Sequence, residues 1–129
     1  MAKTMALVFG IILVLIGLLG FVTNPLVGAN GLFATNGLHN IVHILLGIIL
    51  LVASRAGQAQ SALWLKVVGV VFLILALLGF LLGGTTLLGI VAVNAMDHWL
   101  HLVLGIVLLV TGMRGNTMPA PAAMPMGMQ

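Results

Sequence analysis

The sequence predicts an all-α membrane protein in which four transmembrane helices form two parallel helix pairs related by a pseudo-twofold axis. Three observations carry that expectation. Hydrophobic residues fill 63% of the 129 positions and charged residues only 4%, whereas about a quarter of a soluble domain is charged. Four apolar stretches, 5–22, 38–54, 62–82 and 96–113, match the roughly 17–25 residues that carry a helix across a bilayer. The chain also reads as two copies of one pattern. Asn36-Gly-Leu-His-Asn-Ile-Val-His43 leading to Gly47 recurs fifty-eight positions later as Asn94-Ala-Met-Asp-His-Trp-Leu-His101 leading to Gly105.

The first stretch follows Lys3 and resembles a secretory signal in outline, but its apolar run is longer than a signal core. We therefore expect a retained membrane helix over 5–22. The second and fourth stretches are short, and each is expected to start at the interface with a polar first turn. The third is the longest. A β-barrel, the other structure that satisfies backbone groups inside lipid, would need alternating residues and frequent turn signals, and neither is present.

The repeat extends past the histidine segments. Gly10, Gly20 and Phe21 align with Gly69, Gly79 and Phe80, and Gly17 with Ala76. These small residues form a stripe on helices one and three, which in membranes allows close backbone approach. The expected organisation is thus a four-helix transmembrane domain over 1–114, with one copy at 5–54 and the other at 62–113. A Met-, Pro- and Ala-rich cytoplasmic tail follows over 115–129. Each copy holds an even number of spans, so the two share one orientation.

Lys3, Arg55, Lys66 and Arg114 all fall on one side of this topology, while 23–37 and 83–95 lack Lys and Arg. The positive-inside rule then puts both termini and the Arg55–Ser61 loop in the cytoplasm and both histidine segments near the outer face. The net charge of +3 is read as topology. Nucleic-acid binding is not expected, because no face carries clustered Lys or Arg. There is no cysteine, which removes disulfides, thiolate metal sites and cysteine nucleophiles. With one carboxylate side chain and no tyrosine, an enzyme is not expected.

What chemistry the sequence offers lies in the repeated segments. Asn36 and Asn94 stand where helix N-caps stand, and Asp97 at the third helical position suits the helix dipole. His43 and His101 lie one turn deeper, on the same helix face as His39 and Asp97 respectively. Ionisable residues in membrane spans usually face the bundle interior. Three readings follow. His39, His43, Asp97 and His101 converge on a divalent transition metal, for which imidazoles and a carboxylate are suitable ligands. Alternatively, His43 or His101 is the axial ligand of a tetrapyrrole such as haem or a chlorophyll, with Gly47 and Gly105 leaving room for the flat ring. In the third, the imidazoles only hydrogen-bond to loop carbonyls, to asparagines or across the pseudo-twofold axis. The methionines at 118, 124, 126 and 128 are spaced too irregularly to suggest a soft-metal site.

Gly20-Phe21, the run from Asn36 to His43 with Gly47, and Asp97-His-Trp-Leu-His101 with Gly105 resemble an uncharacterised family of small bacterial four-helix membrane proteins that carry a domain of unknown function. The resemblance covers roughly 5–113. It implies a bacterial inner-membrane location, four spans and a duplicated helix pair, and it implies no activity. The function expected from the sequence is a structural or accessory membrane subunit in contact with the lipid bilayer. It would self-associate as a homo-oligomer or dock to a larger membrane complex. Metal or tetrapyrrole binding at the outer face is the alternative.

Overall fold

The computed structural model describes residues 1–115; the expected tail over 116–129, with its four methionines, lies outside the described residues. Four helices dominate: α1 (Ala2–Leu19), α2 (Gly37–Ala56), α3 (Gln58–Leu82) and α4 (Ala95–Arg114). Each is long and apolar enough to cross a membrane. At 1.5 Å per residue, their 18 to 25 residues run about 27 to 38 Å, against a hydrocarbon core of about 30 Å.

The distribution of apolar side chains is that of a lipid-solvated bundle. Large side chains such as Leu15, Leu45, Leu77 and Val103 are more than half exposed, and they alternate with a thin buried seam of Leu13, Leu50, Leu65, Phe72 and Leu108. In water such a surface would be a liability; against hydrocarbon it costs nothing.

The helices pair as the repeat implies, α1 on α2 and α3 on α4, with looser packing of α3 on α1 and α2. Small residues set the closeness of each pair. A Cβ placed on Gly10 or Gly47 would meet the carbonyl oxygen of the other at 3.0 and 2.8 Å, and Gly69 and Gly105 are related in the same way. Such contacts supply dispersion attraction where lipid provides no hydrophobic force between helices.

The limits of α1 and the joint between α2 and α3 differ from the sequence expectation. The first helix begins at Ala2 and ends at Leu19, not at 22, because Asn24 Nδ2 donates to the carbonyls of Leu19 and Val22 at 3.0 and 2.7 Å. These carbonyls thus find a side-chain donor in place of a further helical turn. The expected loop at 55–61 is a single joint. Gly57, at φ 117°, separates α2 from α3, and the polar Gln58-Ala-Gln-Ser run is already helical. Ser61, fully buried, shares its one hydroxyl proton between the carbonyls of Gly57 and Ala53, 2.8 and 3.0 Å away, and so closes the end of α2.

At the opposite end the two connections are built, not merely extended. In the first, β1 (Val27–Gly28) pairs in parallel with β2 (Phe33–Ala34). In the second, β3 (Thr86–Leu87) pairs antiparallel with β4 (Val91–Ala92). Two reciprocal hydrogen bonds tie them to the helices of the other half. Asn36 Nδ2 donates to the Ile90 carbonyl at 2.8 Å, and Asn94 Nδ2 to the Leu32 carbonyl at 2.9 Å. Residues 36 and 94, and 32 and 90, are each 58 positions apart, so each connection makes the same clasp on the other.

Candidate functional site: three imidazoles beneath the paired loops

Both asparagine caps are formed. Asn36 Oδ1 accepts from the His39 amide at 3.0 Å and Asn94 Oδ1 from the Asp97 amide at 3.0 Å. Each cap sets the start of its helix and with it the depth of the next histidine. His39 and His43 then lie one above the other on α2, and His101 reaches the same point from α4. Among the described residues, these three form a group whose ring nitrogens, one from each, all lie within 4.8 Å of one another. All three are buried, at 3–5% exposure.

One proton of this group is fixed by its surroundings. His39 Nδ1 is 2.7 Å from the Ala92 carbonyl, which can only accept, so Nδ1 carries a proton. His39 Nε2 faces His43 Nε2 at 3.2 Å, so the two nitrogens share one proton. His43 Nδ1 is buried without a hydrogen-bond partner. Phe72 holds the group from beneath, stacked on His43 with centroids 6.0 Å apart and edge-on to His101 at 5.0 Å.

Asp97 does not join the trio. Its Oδ2 accepts from the Asn94 amide at 2.8 Å, completing a capping box, and from the Ala34 amide of β2 at 3.0 Å. The reason is its position. The third helical residue points back at its own cap, and an acceptor-only carboxylate there collects backbone donors. His39 occupies the matching place in α2, but its ring carries a donor and finds a carbonyl of the opposite connection instead.

The tetrapyrrole reading meets a steric obstacle. The space beside Gly47 is filled by Val14 and the Gly10 carbonyl, and that beside Gly105 by Leu73 and the Gly69 carbonyl, all within 3.0 Å of where a Cβ would stand. These glycines are helix contacts, and no flat ring fits against them. His98 is also elsewhere, packed over Gly79 and edge-on to Phe80 at 5.5 Å.

Two cavities, of about 190 and 250 Å³, adjoin the trio, and His39, His43 and His101 line both. The connections form part of their walls through Leu87, Val91 and Val93 in one and Val27, Phe33 and Thr35 in the other. The loops are therefore folded over the histidines.

Residues 3–114 match the family described as Domain of unknown function (DUF4383). The chain belongs to that family. No curated protein and no solved structure gives a significant match.

Three contributors escaped sequence reasoning. Phe72 aligns with Leu13, and that aromatic-for-aliphatic difference was a visible sign of asymmetry between the copies. Thr35 aligns with Val93 in the same way. The Ala92 carbonyl left no trace in the sequence, because any residue there supplies the same group.

Proposed function

We propose that this DUF4383 protein is a multi-pass protein of the bacterial inner membrane that binds one divalent transition-metal ion through His39, His43 and His101. The 3.2 Å separation of His39 Nε2 and His43 Nε2 carries this reading. Two imidazoles bound tetrahedrally to an ion at about 2.0–2.1 Å place their nitrogens about 3.3–3.4 Å apart. The pair is thus spaced for an ion to replace the shared proton. The outer contact fits too, since a ligating histidine nearly always donates its other N–H to a carbonyl or carboxylate, as His39 does to Ala92. An all-imidazole donor set suits zinc, copper, nickel or iron and excludes a preference for magnesium or calcium.

The test is elemental analysis of the detergent-purified protein after incubation with zinc and desalting. We expect one ion per chain in the wild type. In His39→Ala the affinity should fall by more than the roughly 10–100-fold that loss of an outer-shell partner costs. A wild type that emerges metal-free, or a variant that binds equally well, would refute the assignment.

The proposed orientation puts both termini in the cytoplasm and the histidines near the outer face, on the strength of the four basic residues. Lys3 and Arg55 flank a common cleft, and Gln58 bonds to both the Lys3 amide and the Gly115 carbonyl, so these groups gather at the end away from the connections. A reporter active only in the cytoplasm, fused after Gln129, should give signal. Activity of a strictly periplasmic reporter there would reverse the orientation.

A further inference from the structure

At the end of the bundle away from the connections, Lys3, Thr4 and Leu7 of α1 face Ser54 and Arg55 of α2 across a cleft of about 490 Å³. Lys3 and Arg55 are both exposed. Among the described residues, neither the Lys3 ammonium nor the Arg55 guanidinium has a hydrogen-bond or ion-pair partner. The chain holds one carboxylate side chain, Asp97, and its contacts lie with the connections at the opposite end. No acidic side chain is therefore available to neutralise the cleft. Lys3 also stands in the first turn of α1, which has no acidic residue and no side-chain cap. The helix dipole there favours an anion and disfavours a cation, so the uncapped end adds to the positive potential. Depth identifies the kind of anion. Lys3 is the second residue of one spanning helix and Arg55 the last but one of another, so both stand where the lipid headgroups begin. Leu7, 43% exposed, lies one turn further in and continues the cleft toward hydrocarbon.

We infer that this cleft binds an anionic phospholipid, with its phosphate between Lys3 and Arg55 and an acyl chain along Leu7. Basic pockets between spanning helices suit such headgroups. Arg55 offers a planar fork of donors to phosphate oxygens and Lys3 a point charge. The Ser54 hydroxyl already donates to the Leu51 carbonyl at 2.7 Å, so Thr4 is the hydroxyl with a proton to give. A zwitterionic headgroup is disfavoured, because its ammonium would enter a cleft with two cations and no carboxylate. The apolar floor at Leu7 favours a lipid over free phosphate. In the second copy Ala62 and Met113 stand at the places of Lys3 and Arg55, so one lipid per chain is expected.

The experiment uses the full chain, delipidated in detergent and titrated with phosphatidylglycerol or with phosphatidylethanolamine of the same acyl chains. Native mass spectrometry counts the lipid retained. The wild type should hold one phosphatidylglycerol and prefer it over phosphatidylethanolamine. Lys3→Gln and Arg55→Gln should each weaken retention about fivefold, the equivalent of about 1 kcal/mol per cation, and the double variant about thirtyfold. Lys66→Gln removes the same charge outside the cleft and should leave retention unchanged. The single variants carry the comparison if the double variant does not fold. Equal retention of the two lipids overturns the inference, as does a loss in Lys66→Gln equal to that in Lys3→Gln. Displacement of phosphatidylglycerol by excess inorganic phosphate would make the cleft a site for the free anion and overturn the lipid assignment.

Discussion

Asp97→Ala is expected to destabilise the folded chain by about 2–3 kcal/mol, while one metal ion per chain is still bound at saturating metal. The carboxylate accepts from two backbone amides, Asn94 at the start of α4 and Ala34 in β2, and Asp97 itself is 2% exposed. Removing it leaves both donors unsatisfied, each costing about 1–3 kcal/mol when buried. The part-buried setting of these amides favours the lower half of that range. Asp97→Asn keeps one acceptor oxygen and should cost less than half as much. Unfolding in mixed micelles with increasing SDS measures both, and elemental analysis of the same samples counts the metal. Loss of the ion at unchanged stability would mean that Asp97 is a ligand and that its structural role has been misjudged.

Gly69→Ala should destabilise by about 2 kcal/mol, although alanine is the better helix former by about 1 kcal/mol. The added Cβ would meet Leu109 N at 2.7 Å and the Gly105 carbonyl at 2.9 Å. Both are backbone atoms, so no side chain can rotate away, and α3 must separate from α4. Overpacking of this kind typically costs about 1–3 kcal/mol. Gly37 provides the control. It opens α2, and a Cβ there finds only Phe21 Cε1 at 3.9 Å, so Gly37→Ala should be neutral or slightly stabilising. The same SDS series decides, and equal effects at the two sites would refute the close-contact account of the α3–α4 pair.

The four helices were legible because lipid-facing helices are apolar on nearly all sides, and runs such as 62–82 admit no other reading. The pairing was legible from the repeat. What could not be read was anything that depends on where a chain returns after a turn. Asn24 shortens α1 through hydrogen bonds to carbonyls that precede it. Gly57 compresses an expected seven-residue loop to a joint, which becomes visible only when Ser61 is seen to seal the preceding helix. At the site, His39 and Asp97 share a sequence position within the repeat and therefore looked interchangeable as ligands. They part company because one is an acceptor that turns back to amides and the other a donor that turns to the Ala92 carbonyl. Glycines at 47 and 105 pointed to space, but in a membrane bundle glycine more often marks where a neighbouring backbone already is.

The helices that bear the histidines, α2 and α4, scarcely approach each other; the extensive packing is within each pair and around α3. Their imidazoles nevertheless meet under the connections, with His43 and His101 centroids 5.9 Å apart. An ion held there would be a crosslink between elements that van der Waals contact leaves nearly independent. Its binding energy would then appear as cohesion between the two halves, amounting to about 2.7 kcal/mol when free ion exceeds its dissociation constant a hundredfold. How firmly the bundle holds together would thus be set partly by the ion concentration on the side to which the connections open.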